Sequence, residues 1–211
     1  MKNKYFETYF KKLISCGVSE DSCERLKILF GDLLDTASYS TKADTGLAYD
    51  GALLNTVLTK LAVFAIKINE LYPEEIRADK NSIVKVCLLQ HISKCKRLEK
   101  SEDEWRIKRL GELYTYADGN PAIGTGLHSL VMATTAGVEF TPTEVEAMTI
   151  IDRKEDDMQA KYYSSILTNI IRQANEMVYI QQQELGKYKG THIPTVKKEE
   201  TKKESTDGTN K

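Results

Sequence analysis

A chain of 211 residues can form one well-cored domain, and its 30 basic and 31 acidic residues nearly cancel to a formal net charge of -1. That balance excludes a general affinity for nucleic acid or anionic membranes, so any such preference must come from a local patch. Four cysteines, Cys16, Cys23, Cys87 and Cys95, stand without a CxxC pair; they exclude a zinc ribbon and fit free or buried thiols in a reducing compartment.

The opening MKNKYFETYFKKLISCG alternates apolar and charged residues and lacks the unbroken apolar core of a signal peptide, so a cytoplasmic protein is expected. Tyr5, Phe6, Tyr9, Phe10, Leu13 and Ile14 recur at helical steps and place a first helix before Gly17. Ser19 is the expected N-cap of a second, with Cys23, Leu26, Ile28, Leu29 and Leu33 as its buried face. Asp35 to Asp50 is small and polar and reads as a loop. Leu54, Leu58, Leu61, Phe64, Ala65, Ile68 and Leu71 form a core stripe that ends before Pro73; its interruption by Asn55, Thr59, Lys60, Lys67 and Asn69 favours an amphipathic helix over a membrane span.

Ser82 to Lys94 is apolar nearly all round and predicts a central helix. Between Glu104 and Tyr116, the order Trp105, Ile107, Gly111, Leu113, Tyr114, Tyr116 predicts two short strands across a turn. Asn120 to Gly126 is a glycine-bearing loop before a short apolar helix over His128 to Ala136. Thr141-Pro142-Thr143-Glu144 combines an N-cap hydroxyl, proline at the first helical position and glutamate at the third, a strong helix start. Tyr162, Tyr163, Ile166, Ile170, Ala174, Met177 and Val178 predict a last long helix ending near Gly186. The expected fold is therefore all-α, a helical bundle over 1–186 with a small β-hairpin insert. A flexible charged tail over 187–211 is expected after it, too polar to repay the entropy of ordering, with Lys197, Lys198, Lys202 and Lys203 free to meet an acidic partner.

Several segments carry a more specific resemblance. Gly51-Ala52-Leu53-Leu54-Asn55-Thr56-Val57-Leu58 resembles the helix of HD phosphohydrolases that begins Gly-Gly-Leu-Leu-Glu-His-Thr-Leu, and Leu88-Leu89-Gln90-His91-Ile92-Ser93-Lys94 resembles their Leu-Leu-His-Asp-Ile-Gly-Lys motif. Gly124-Thr125-Gly126-Leu127-His128-Ser129, the Thr141 helix start and Ala174-Asn175 are similar to further elements of a branch common in bacteria and bacteriophages. The similarity spans roughly Asp50 to Gln183 and implies an HD-like bundle.

In that family histidine and aspartate side chains hold divalent metals that activate water against a phosphate ester. Carried over position by position, the resemblance puts Thr56, Gln90, His91, Thr125 and Asn175 where those ligands stand, and Lys94 at the motif lysine. Hydroxyls and amides bind divalent transition metals poorly beside imidazole and carboxylate, so no metal, no cofactor and no catalytic residue is expected. The resemblance implies a vestigial pocket of Thr56, Gln90, His91, Lys94, Thr125, His128 and Asn175, with Gln90 and Asn175 facing each other.

Three functions are compatible with this. The leading expectation is a non-catalytic interaction protein with a protein partner or self-association; the branch implies a phage origin, as virion component, assembly component or factor acting on a host protein. The second is a metal-free nucleotide-binding module in which Lys94, His128 or Asn175 holds an anion; Gly124-Thr125-Gly126 could also cradle a phosphate at a helix start. The third is a diverged hydrolase with relocated ligands His91, His128 and Asp152. For nucleic acid the only pattern is Trp105, Tyr114 and Tyr116 beside Arg106, Lys108 and Arg109, which hairpin packing explains equally well.

Overall fold

In a computed structural model the chain is described over residues 3–152 and 164–188. Of the tail expected over 187–211, Lys187 and Tyr188 belong instead to the last helix and residues 189–211 lie outside the described residues, as do Tyr162 and Tyr163 of the last predicted helix. The protein is mostly helical, with one small antiparallel sheet.

Helices α1 (Phe6–Ser15) and α2 (Glu20–Thr36) meet at Gly17, whose positive φ of 90° reverses the chain, and Ser19 caps α2 through the Ser22 amide. α2 buries Cys23, Leu26, Phe30 and Leu34, whereas Ile28, Leu29 and Leu33, expected inside, are exposed, as is Ile14 of α1. The apolar stripe of α2 is wider than the face it packs, and Phe30 and Leu34 set which side turns inward. A loop follows, containing a 3₁₀ turn over Ala43–Thr45.

α3 (Ala52–Thr56), a π-helical turn (Val57–Leu61) and α4 (Ala62–Glu70) run on from one another. By length and composition Ala52–Glu70 could cross a membrane, but it lines the core: Leu53, Leu54, Val57, Leu61 and Ala65 are buried against neighbouring helices. Leu71, counted in the stripe, lies beyond the helix and is exposed. α5 (Lys80–Leu89) is the central helix, packing on α1, α4 and three later helices, Thr125–Thr135, Pro142–Thr149 and Ile166–Tyr188. It stops at Leu89 rather than reaching Lys94. Residues 90–93 form a turn, and a single helical turn, α6 (Lys94–Arg97), resumes after it.

The sheet corrects the predicted hairpin. β2 (Tyr114–Tyr116) lies where expected, but it pairs with β1 (Leu98–Lys100), in the register Leu98 to Tyr116 and Lys100 to Tyr114. Residues 104–110, expected to be the first strand, are helical, with a π-helical turn over Arg106–Leu110. The carboxylate of Asp103 accepts from the amides of Trp105 and Arg106 and so caps a helical start; Gly111, at φ 65°, ends it.

α7 (Thr125–Thr135), α8 (Pro142–Thr149) and α9 (Ile166–Tyr188) complete the fold. The capping box at α8 forms as its sequence requires: Glu144 N–H donates to Thr141 Oγ1 at 3.3 Å and Thr141 N–H to Glu144 Oε2 at 2.8 Å. The same carboxylate takes Lys85 of α5 at 2.7 Å, with side-chain exposures of 2% for Glu144 and 14% for Lys85. Cap and buried ion pair thus share one side chain. Removing one member of such a pair leaves the other charge in the interior, typically at about 3–5 kcal/mol, while losing an N-cap hydroxyl alone costs about 1 kcal/mol. Urea unfolding is expected to show Glu144→Ala losing roughly three times as much stability as Thr141→Ala.

Candidate functional site

The turn that ends α5 places two polar side chains inside the fold, Gln90 fully enclosed and His91 at 5% exposure. Both meet Asn175 of α9. The Asn175 side-chain amide donates to Gln90 Oε1 at 3.2 Å and to the Ile171 carbonyl at 2.9 Å. Two oxygen partners fix which end of the amide is nitrogen, so Oδ1 faces His91 Nε2, 2.9 Å away. The imidazole must then carry its proton on Nε2 and donate it to Asn175. Tyr39 Oη, 3.0 Å from the same nitrogen, is a second acceptor, and the two rings meet edge to face with centroids 4.9 Å apart. Burial, with the nearby Lys94 cation, holds the His91 imidazole well below its ordinary pKa, against a smaller opposing effect from Asn175. The group is a chain of neutral donors and acceptors.

Lys94, one turn further on, donates to the Tyr39 carbonyl at 2.7 Å, and its ammonium lies 3.6 Å from the centroid of the Tyr39 ring. Among the described residues no carboxylate pairs with it, and burial lowers its pKa from 10.5 to about 7. Arg97 donates to the Ile123 carbonyl at 2.7 Å, while its Nε is enclosed without a partner among the described residues. Lys94 and Arg97 line a cavity of about 290 Å³ together with Asn175, Thr125, residues of the loop after α2, and Tyr116 and Tyr179. No Asp or Glu is among its described lining residues.

Of the residues the sequence singled out, Gln90, His91 and Asn175 are joined by hydrogen bonds, and Lys94, Thr125 and Asn175 line one cavity. Thr125 is held there by buried Ser93 and Ser129: Ser93 Oγ donates to the Thr125 carbonyl, and Ser129 Oγ both donates to Ser93 Oγ and accepts the Ser93 amide proton. Thr56 is fully buried in α3, and its hydroxyl has no partner among the described residues; it takes no part in this hydrogen-bonded group. His128 is half-buried outside it, its imidazole pKa lowered by burial and by the Arg97 and Lys96 charges.

Three other sequence readings are corrected. Asp152 caps α7, its carboxylate accepting from Gly126 N–H at 2.9 Å and Leu127 N–H at 2.7 Å, so the start of α7 is not an open phosphate cradle. Gly124 and Gly126 are required for that approach, since a Cβ would fall 2.0 Å from the Asp152 carboxyl carbon and 2.2 Å from the Met148 carbonyl oxygen, respectively. Committed to this cap, Asp152 does not join His91 and His128 in a relocated metal set. Among the described residues no three His, Cys, Asp or Glu side chains are grouped to hold a metal. Nor do Trp105, Tyr114 and Tyr116 form one aromatic platform: Tyr114 is buried and donates its hydroxyl to Asp50 at 2.6 Å, while Arg106 and Lys108 are paired with Asp103, Glu112 and Glu104.

Tyr39 and Arg97 were not singled out from the sequence. Tyr39 lies in a polar loop with no local pattern, whereas the three-residue spacing of Lys94 and Arg97 is a legible sign that one helical turn puts both charges on one side. No family model, curated protein or solved structure matches this chain.

The Lys94 environment has a measurable consequence. Its folded pKa of about 7 lies below the ordinary 10.5, so above pH 7 the unfolded chain holds a proton that the folded protein has released. Lys94 therefore costs stability at neutral pH, and that cost fades as the pH rises toward 10.5. The buried thiols act the other way above their ordinary value of 9, with Cys23 raised to about 11 and Cys95 to about 12. Between pH about 7 and about 9, urea unfolding is expected to show the stability of the wild type gaining on that of Lys94→Met as the pH rises.

Proposed function

We propose that the protein is a non-catalytic binding module that takes a small phosphate-bearing ligand in the cavity beside Tyr39, Lys94 and Arg97, without a metal. The observation that carries this reading is the presence of two cationic side chains, Lys94 and Arg97, on the wall of a cavity whose described lining contains no acid. In a partly desolvated site an anion gains charge-assisted hydrogen bonds from both, Arg97 through the guanidinium N–H groups that the Ile123 carbonyl leaves free. Lys94 is costly to bury as a cation on its own, and a bound anion would offset that cost.

The lining also indicates the rest of the ligand. Tyr116 and Tyr179 reach this cavity while 64% and 60% exposed, so an aromatic ring attached to the phosphate can stack on either. A cavity near 300 Å³ is at the small end of ligand sites, which favours a single ring and its phosphate over a polymer. The resemblance to HD phosphohydrolases supports the same reading. Positions 90, 91 and 175, which it assigns to metal ligands, are hydrogen-bonded to one another as an amide, a neutral imidazole and an amide, and of the three Asn175 lines the cavity. That set offers little to a divalent cation and raises no charge against an anion. Fold resemblance alone would not assign an activity.

Melting curves at constant ionic strength test the reading. Ligand at about 100 times its Kd adds about 2.7 kcal/mol, or roughly 5–10 °C in Tm for a domain of this size. Inorganic phosphate and a nucleoside monophosphate are expected to stabilise the wild type in that way, unchanged by chelator or added Mn, and to leave Arg97→Ala unaffected. Equal shifts in wild type and Arg97→Ala, or a shift that requires metal, would contradict it.

A further inference from the structure

Lysines that carry only solvation or charge pairs are poor nucleophiles, because the ammonium has no lone pair. An amine becomes reactive when its surroundings disfavour the cation and leave it open to a ligand. Lys85 shows the opposite arrangement, with its charge pinned to Glu144 and to the Glu139 carbonyl. Lys94 meets both requirements. The residue lines the cavity, its Nζ is oriented by the Tyr39 carbonyl and rests on the Tyr39 ring, and no carboxylate among the described residues holds it as an ammonium. A single hydrogen bond to the carbonyl uses one N–H and leaves the remaining positions of a neutral amine for a ligand.

We propose that Lys94 is a covalent attachment site for small aldehyde-bearing phosphates, whose carbonyl carbon its amine attacks inside this cavity to form a reversible imine. The inference rests on the anion-binding reading above and narrows its ligand class. In the step, Nζ forms a bond to the carbonyl carbon, giving a carbinolamine. The C–O bond then breaks, and the oxygen departs as water with the two protons that the amine gives up. No oxidant or reductant is consumed. Arg97, one helical turn along α6, is placed to hold the phosphate while the aldehyde reaches Nζ. The neutral His91–Asn175 pair beside it contributes no carboxylate that would return Lys94 to the ammonium. The low pKa of Lys94 in the free protein is consistent with the same geometry, as a share of the amine is unprotonated near pH 7 before any anion is bound.

Pyridoxal 5'-phosphate, which combines an aromatic ring, an aldehyde and a phosphate, is the probe. The full-length protein is treated with it near neutral pH, reduced with borohydride and mapped by peptide mass spectrometry. Lys94 is expected to be labelled at least about tenfold faster than any other lysine, with inorganic phosphate slowing the labelling. Lys94→Arg carries a permanent positive charge and cannot form an imine; it is expected to retain phosphate stabilisation and lose the fast adduct, and so stands in if Lys94→Met fails to fold. Labelling spread over the lysines with none preferred would overturn the imine. In that event, stabilisation by pyridoxine 5'-phosphate, which lacks the aldehyde, would show that the anion pocket itself survives. Absence of that stabilisation as well would remove both readings.

Discussion

The end of the central helix imposes the constraint on which the site depends. α5 is enclosed on several sides and terminates with Gln90 and His91 still inside the protein. A buried amide or imidazole left without partners costs about 1–3 kcal/mol, so other elements must bring donors and acceptors to it. For Gln90 Oε1 and His91 Nε2, Asn175 does so from α9 and Tyr39 from the loop after α2, while Gln90 Nε2 and His91 Nδ1 have no partner among the described residues. These contacts fix which face of α9 turns inward at this level and hold the loop over the turn at 90–93. The cavity forms between the loop, α6 and α9, lined by what those elements present there.

Charge is distributed unevenly around this framework. The fold can pair an enclosed lysine with an acid, as Lys85 and Glu144 show, and it does so where a helix start and a helix face meet. At Lys94 it offers instead a carbonyl, an aromatic face and a neutral amide–imidazole chain. A site built to be stable alone would supply a carboxylate. One that awaits an anion is better without it, since a carboxylate would repel the ligand and occupy the donors. The same logic excludes the start of α7 as a ligand site, because its amides are already satisfied by Asp152.

How much of this was legible in the sequence follows from the range of the forces involved. The Thr141 cap depends on neighbours three residues apart, and the core stripe from Leu54 to Ile68 on helical spacing alone, so both could be read directly. The Gln90–Asn175 contact was expected only through a family resemblance, since nothing local links residues so far apart in the chain. Ile28, Leu29 and Leu33 misled because a wide apolar stripe does not say which of its edges is covered. Residues 104–110 differ from the expected strand because alternation of Trp105 and Ile107 fits a strand, while the Asp103 carboxylate caps a helical start instead. Tyr39 and Asp152 act across the fold, and no spacing rule announces such partners, whereas the three-residue step from Lys94 to Arg97 could have been read.

Among the described residues Lys94 has no counter-ion, and the proposed ligand supplies one. Side-chain NMR of Lys94 across a pH titration, with and without saturating inorganic phosphate, measures this directly. The account predicts a midpoint near the value of about 7 set by burial in the free protein, moving upward when phosphate is bound. A midpoint close to the ordinary 10.5 in the free protein, or one that phosphate leaves in place, would contradict it.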